Sequence, residues 1–406
     1  MPAVLDDPAQ FFCPAALQDP YPVYDLMRTD GGVHRMGNSE FYAVAGWDAI
    51  LEVLARVDDF SSNLTATMVY HDDGTVTPFP MGPLGDPSHT LATADDPAHA
   101  WHRKLLVPHL AAKRLGGIEA FVADTTHRLW TENVRDGHLE WMSAIANRLP
   151  MMVVCRLIGV PDDDVDQLAQ WAYATTTLLD GVVSADQLTA ASAAAMELGG
   201  YVIKHFEEAP TQPTPTLLSD LAARCASGEL DQLPAIAMML TLFGAGGEST
   251  ASLLGSAAWI LASRADIQRQ VRDEPELLGP FIEEVLRYEP PFRGHYRHVR
   301  RDTTLAGVAL PPDSHLLLLW GAANRDPAHF NNPDQFRLDR NDNKNHLTFG
   351  KAAHFCIGAA LARLEARIVL AMLLERTTWI EAAETGPWLP SILVRRLHHL
   401  QLACEI

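Results

Sequence analysis

Residues 349–363 read FGKAAHFCIGAALAR. Cys356 stands there between an aromatic residue and an Ile-Gly step, and an alanine-rich helical pattern, GAALARLEARIVLAMLLE, follows at once. Unpaired amides and the positive end of the helix dipole at that point favour a thiolate. Gly350 and Gly358 permit a tight backbone turn or the close approach of another group. Phe349 can shield a sulfur from water. A thiolate so placed attacks a substrate or binds a metal, whereas most free cysteines are small buried hydrophobes. The bland role is assigned to Cys13, Cys155, Cys225 and Cys404, which have no comparable setting. His354, two residues before Cys356, lacks a second ligand pair at zinc spacing. A cysteine hydrolase would need a base and an orienter, and among 17 histidines one motif neither supplies nor excludes them.

The whole chain sets outer bounds. Its 406 residues carry no Ser/Gly linker, low-complexity tract or internal repeat, which predicts one large domain over 1–406. Hydrophobic content of 48% with 20% charged residues suits a globular enzyme with a sizeable core. A net charge of −20 argues against nucleic-acid binding by bulk electrostatics. The start, MPAVLDDPAQFFCPAALQDP, has no basic region ahead of an apolar one, and the apolar run AIAMMLTLFGAGG (235–247) is too short for a membrane span. The five scattered cysteines show no C-x-x-C pair and predict free thiols in a reducing cytoplasm.

Helical periodicity dominates the rest. It predicts helices at the start of PYPVYDLMRTD, over 99–115 with a break at Pro108, over 137–160, as two amphipathic helices about a turn near Gly181, and over roughly 233–264. Strand-like runs are few: 41–47, 303–310 and 314–321. Segment 61–97, rich in Pro, Gly and Thr, reads as a long irregular loop of the kind that is usually functional. The fold class expected is mainly α with a minor β-sheet.

The stretch around Cys356 resembles the haem-binding signature of the cytochrome P450 family, the haem-thiolate monooxygenases. Its pattern is Phe-Gly, three residues, His, one residue, Cys, one residue, Gly, then Leu-Ala-Arg. Phe349, Gly350, His354, Cys356, Gly358, Leu361, Ala362 and Arg363 fill the places. The resemblance implies the P450 fold around a buried haem b, with Cys356 as the proximal ligand to iron. Thiolate ligation pushes electron density onto the metal and favours O–O cleavage.

Other motifs extend the resemblance in order. EEVLR (283–287) supplies Glu284 and Arg287, by themselves either a solvated helix pair or, crowded by Phe281, Ile282, Val285 and Leu286, a buried one. The resemblance makes them a structural lock on Arg340, in NRDPAHFNNPDQFRLDR (324–340). DDPAHAWHRKLL (95–106) and HYRHVRRD (295–302) imply His99, Arg103 and Arg297 as holders of the haem carboxylates, with His346 a fourth candidate. FGAGGESTASLLG (243–255) clusters glycines in a helix, where each costs about 1 kcal/mol relative to Ala. Something therefore lies close to that backbone, or the helix distends. Ala245, Gly246, Gly247 and Glu248 match the family's oxygen-side motif, but Ser249 stands at the usual Thr position, with Thr250 next. Acid and alcohol would hand protons to dioxygen. The plain alternative is a hydroxyl satisfied on its own helix carbonyl.

The function implied is insertion of one atom of O2 into an apolar organic substrate, the other becoming water. Electrons would come from a separate ferredoxin and its flavoprotein reductase, because no such module is present in the sequence. Motif spelling resembles bacterial, actinobacterial members. Alternatives are haem-thiolate oxidative coupling, dehydrogenation or isomerisation, or a haem-based ligand or gas sensor, which would have no use for an acid–alcohol pair. Pocket walls are expected from 61–97, 167–200, 239–249, 290–297 and 389–396. Arg103, Lys104, Lys113, Arg114, Lys351, Arg363 and Arg367 are expected on the cysteine face as a dock for an acidic ferredoxin.

Overall fold

The computed structural model of the chain describes residues 7–81, 89–110, 112–209 and 214–406, with the side chains of 112–115 left out. Helix accounts for 55% of the structure and strand for 15%. Ordinary domains hold about a third helix, so the expected mainly α class is met.

The long apolar pattern folds as predicted, with a defect where the glycines cluster. Helix Gln232–Leu242 runs through a π-helical turn, Phe243–Glu248, into helix Ser249–Ser263. Helix Leu149–Ile158 crosses at that turn. A Cβ on Gly246 would meet Val154 Cγ2 at 2.7 Å, and one on Gly247 would meet Met151 Cε at 2.6 Å. Both readings of the cluster therefore hold: the helix distends, and a neighbour lies against its backbone. The largest core cluster gathers round this helix, with Leu149, Leu253, Leu254, Phe281 and Val369 all fully buried or nearly so.

The two amphipathic helices are Val165–Thr176 and Ala185–Glu208. The second starts on a capping box. Ser184 Oγ accepts from the Gln187 amide at 3.2 Å, and Gln187 Oε1 accepts from the Ser184 amide at 2.8 Å. Helix Ala98–Leu106 gives way to a 3-10 turn at Val107–Leu110, at the predicted break.

Twelve strands are present among the described residues, more than the sequence suggested. β1 (Val33–Arg35), β2 (Phe41–Val44), β3 (Phe60–Ser61), β7 (Gly294–Val299) and β10 (His315–Leu319) form one sheet in the order β1-β2-β10-β7-β3. β4 (Ala66–Tyr70) pairs β5 (Val76–Pro80), and β8 (Thr303–Leu305) pairs β9 (Val308–Leu310). β6 (His138–Glu140), β11 (Trp379–Thr385) and β12 (Leu400–Glu405) make a third sheet in the order β11-β12-β6. Two expectations are corrected. Segment 61–97 is not one irregular loop: β4 and β5 form a hairpin across Asp73-Gly74, and 82–88 lie outside the described residues. Segment 137–160 is not helical throughout, because 138–140 pair with β12 before a π-helical turn at Met142–Ala146.

Among the described residues no helix is long and apolar enough to cross a membrane. The five cysteines form no disulfide.

Candidate active site

The cysteine loop is closed by two main-chain bonds. Gly350 N–H donates to Leu347 O and Cys356 N–H to Phe349 O, both at 2.8 Å. Gly350 has φ +66°, a left-handed conformation that suits glycine. Cys356 thus sits two residues before Gly358, the cap of helix Ala359–Arg376. It borders a cavity of about 240 Å³ together with Phe349, Gly350, His354 and Gly358. The opposite wall is the distended helix, through Ala245, Gly246, Ser249 and Thr250. Burial pushes the Cys356 thiol up, against the amides of Gly358 and Ala359 and the charges of Arg103 and Arg363. The helix terminus alone does not make the thiolate that the sequence suggested, whereas coordination to a metal deprotonates a thiol outright.

Cations ring one side of the cavity. His99 and Arg103, one turn apart on their helix, border it with Arg297 of β7. The His99 ring stacks on His354 at 3.8 Å, and His354 Nε2 meets Ser62 Oγ at 3.0 Å. Burial, reinforced by Arg297 and His99, pulls His354 down to about 3, and burial also lowers His99. Both imidazoles are neutral near pH 7. Burial pulls Arg297 down to about 10, which still leaves it charged there. Arg103 Nη1 donates to Phe355 O at 2.8 Å and Arg297 Nη1 to Tyr296 O at 2.7 Å. Neither guanidinium has a carboxylate partner among the described residues. Two cations without counter-ions, facing a cavity with a cysteine at its floor, fit a flat ligand that carries carboxylates and a thiolate-seeking metal.

His346 is corrected. It does not border the cavity, and its Nε2 meets Glu283 Oε2 at 3.3 Å. Arg363 binds the same carboxylate, Nε to Oε1 at 2.6 Å and Nη2 to Oε2 at 2.9 Å. Burial opposes ionisation of Glu283, but Arg363 and His346 outweigh it and hold the acid at about 2.

The acid and alcohols divide. Ser249 and Thr250 border the cavity and Glu248 does not. Glu248 is buried behind the wall, its Oε1 3.2 Å from Arg396 Nε, and Arg396 also reaches Asn147 Oδ1 at 3.4 Å. Burial raises its carboxyl above the ordinary value despite Arg396, and Oε2 is left without a partner. The Ser249 hydroxyl donates to Ala245 O at 2.5 Å, the self-satisfied state weighed above. Walls expected from 167–200 and 389–396 do not border the cavity among the described residues, whereas Leu91, Thr241 and Phe292 do, from the other three segments.

Two bordering side chains escaped the sequence reading. Glu365 lies on the cysteine helix, 2% exposed, with Oε2 unpartnered, and burial alone raises its carboxyl well above the ordinary value. Its signal was the spacing from Leu361, i to i+4 along the helix that follows Cys356. His295, two residues before Arg297, accepts a hydrogen bond from Trp320; only its place in HYR pointed to it.

The acid lock behind the site is complete. Arg287 donates to Glu284 twice, Nε to Oε2 at 2.8 Å and Nη2 to Oε1 at 2.7 Å, and Arg340 Nε donates to Oε1 at 2.9 Å. The side chains of Glu284 and Arg287 are 0% exposed. The remaining guanidinium donors reach carbonyls of Asn324, Asn331, Asn332, Pro333 and Gln335. This lock pins the loop 331–340 that leads into the cysteine loop.

Comparison with known proteins agrees with this geometry. A family model described as Cytochrome P450 matches residues 201–397. Cytochrome P450 144 of Mycobacterium tuberculosis is 63% identical over 402 residues, covering 99% of this chain and 93% of the relative. A solved structure, CYP109E1 from Bacillus megaterium in complex with testosterone, superposes with TM-score 0.86 at 28% identity, covering 97% of this chain and 99% of the other. P450BioI in complex with a hexadec-9Z-enoic acid ligated acyl carrier protein gives 0.85 at 28%, covering 96% and 100%. With the cysteine loop, the cavity and the acid lock in the order that family requires, the chain is a member of the cytochrome P450 family, a haem b monooxygenase.

Proposed function

We propose that this single-domain chain inserts one oxygen atom into a mostly apolar organic substrate, with electrons delivered one at a time by a ferredoxin that a flavoprotein reductase reduces. The carrying observation is the pairing of Cys356 at the cavity floor with two guanidiniums, Arg103 and Arg297, that have no carboxylate of their own. The balance is substrate C–H plus O2, two electrons and two protons, giving C–OH and water.

In this reading Cys356 would ligate iron, and Arg103 and Arg297, with His99 beside them, would hold the haem carboxylates. His354, stacked on His99, fixes that ring. Bound haem supplies the reductive activation of dioxygen. Phe349, Gly350 and Gly358 shape the floor, and Ala245 keeps the opposite wall low. Glu248, its carboxyl raised above the ordinary value by burial, is the proton source in this reading, and the hydroxyls of Ser249 and Thr250 relay to the oxygen side. Leu91, Leu242, Phe292 and Leu253 give the walls an apolar character that suits a hydrocarbon-rich ligand. The neighbour solved with testosterone lends that class support. A cytoplasmic setting is supported by the five unpaired cysteines.

The test is the carbonyl complex of the reduced protein. Wild type is expected to show the long-wavelength ferrous–CO band of a thiolate ligand, and Cys356→Ser to lose it even where haem is retained. A wild-type-like band in that variant overturns the assignment. Oxygen consumption stoichiometric with hydroxylated product, under ferredoxin and reductase, then separates monooxygenation from coupling or isomerisation.

A further inference from the structure

Helix Ala185–Glu208 buries one face, with Ala191, Leu198, Val202 and Phe206, and turns the other outward. The outer face carries Met196, 72% exposed, and Ile203, 39% exposed. They stand seven residues apart, two turns along one stripe. Gly199 and Gly200 lie between them. A Cβ on either glycine would meet nothing within 4 Å, whereas one on Gly246 or Gly247 would strike a neighbour. Nothing within the protomer calls for this pair, and glycine weakens a helix interior. Two apolar knobs about a bare stretch of backbone suit the close approach of another backbone.

The charges beside the stripe point to that second backbone. Glu197 and Lys204 are both exposed, share one flank of the helix and form no ion pair among the described residues. Their spacing of seven residues is not that of a pair within one helix, which forms at three or four. A two-fold axis between Gly199 and Gly200 sets copy against copy, antiparallel. Met196 and Ile203 are equidistant from that axis, so Met196 meets the partner's Ile203. The axis keeps the charged flank on one side, and Lys204 comes within roughly 3 Å, measured along the helix, of the level of the partner's Glu197. Each contact occurs twice, as a self-complementary interface requires. An anionic lipid surface fits this face less well, because the exposed Asp186, Glu207 and Glu208 add negative charge to it.

We infer that two copies of this chain associate through helix Ala185–Glu208, antiparallel about Gly199–Gly200, with Met196 on the partner's Ile203 and Lys204 beside the partner's Glu197. The strip is narrower than a standard interface, so the dimer is weak and reversible, with a dissociation constant on the order of 10–100 μM. This pairing concerns the outer surface and stands apart from the chemistry of the cavity.

The experiment is sedimentation equilibrium of the purified holoenzyme across concentrations that bracket that constant. Wild type is expected to dimerise, and Met196→Asp to remain monomeric. Lys204→Glu should weaken association roughly three- to thirtyfold, because two exposed bridges are lost together. Adding Glu197→Lys to that variant should restore it. Under copper–phenanthroline oxidation, Gly200→Cys, beside the axis, should give a disulfide-linked dimer above the wild-type background. Asp186→Cys, whose copies would stand roughly 40 Å apart along the helices, should not. Haem content measured on each variant shows that its fold is kept. A wild-type monomer at every concentration, an unchanged constant in Lys204→Glu, no rescue by Glu197→Lys, or equal cross-linking at position 186 overturns the inference. So does Met196-dependent binding to phosphatidylcholine vesicles by a protein that stays monomeric, which would give the face to lipid instead.

Discussion

Glu284→Ala is the perturbation whose cost the structure specifies best. Glu284 Oε1 accepts from Arg287, Arg340 and the Arg337 amide at 2.7, 2.9 and 3.0 Å, and Oε2 from Arg287 at 2.8 Å. Truncation removes the only carboxylate that pairs with either guanidinium among the described residues. Carbonyls still receive the other donors, but dipoles do not neutralise two charges. Arg340 is only 9% exposed and Arg287 0%, so water does not substitute. Breaking a buried pair on one side costs about 3–5 kcal/mol, a large part of the roughly 5–15 kcal/mol that holds most proteins folded. At about 2.1 cal/mol/K per residue, the 406 residues give an unfolding entropy near 0.85 kcal/mol/K, so Tm should fall by about 4–6 °C. Glu284→Gln should do nearly as badly, because its amide would point donors at the Nε–H of Arg287. The assay is thermal unfolding followed by circular dichroism, with haem content measured on the same samples. A Tm within about 1 °C of wild type and full haem loading would refute the reasoning.

Three further outcomes are expected. The depressed Glu283 carboxyl contributes stability that is full above its unfolded value, about 4.3, and is lost as pH falls from there through about 2; acid unfolding should steepen in that window and flatten in Glu283→Gln, and identical curves would discount the Arg363–His346 pairing. Gly246→Ala should cost about 1–3 kcal/mol in denaturant unfolding, because its Cβ meets a stiff Val154 methyl, and more than Gly247→Ala, where the obstacle is the flexible tip of Met151; the reverse order would show that the crossing yields. Lys104 and Lys351 are exposed and lie 5.6 and 6.0 Å over Trp101 and Trp47, whereas Arg363 and Arg367 are tied to Glu283 and Glu119. Reversing both lysines to Glu should slow ferredoxin-driven reduction at low salt and flatten its salt dependence, and unchanged stopped-flow rates would move the dock elsewhere.

What the sequence made legible was local. The cysteine loop, the His99–Arg103 turn and the Glu284–Arg287 pair are fixed spacings within one element, and each folded as spelled. β10 could be read because four buried leucines, Leu316–Leu319, run together. β7, GHYRHV, hides its inward face behind histidines and arginine and carries no apolar alternation. The 61–97 hairpin was missed although Asp73-Gly74 is a turn signal, with Gly74 at φ +85°; proline at both 78 and 80 drew attention away from the strand. His346 shows the limit of reading cations by proximity to a motif. Its chain position beside the cysteine loop suited a haem carboxylate, but a partner 63 residues earlier, Glu283, claimed it.

Glu248 carries that lesson into the chemistry. The sequence singled out Glu248 as a candidate acid, while its cationic partner, Arg396, lies 148 residues downstream. Arg396 packs its guanidinium 4.8 Å over the Tyr173 ring and holds Asn147 as well, so two further segments fix the cation that reaches the carboxyl. Such a contact stabilises the ionised form, yet burial wins and the acid is raised, with one oxygen unpartnered. A carboxyl held between a cation and desolvation suits the proton-delivery role proposed for Glu248. The balance also makes the direction of any change readable. Removing Arg396 takes away the counterweight and leaves burial unopposed, so the acid should hold its proton more tightly and release it more slowly.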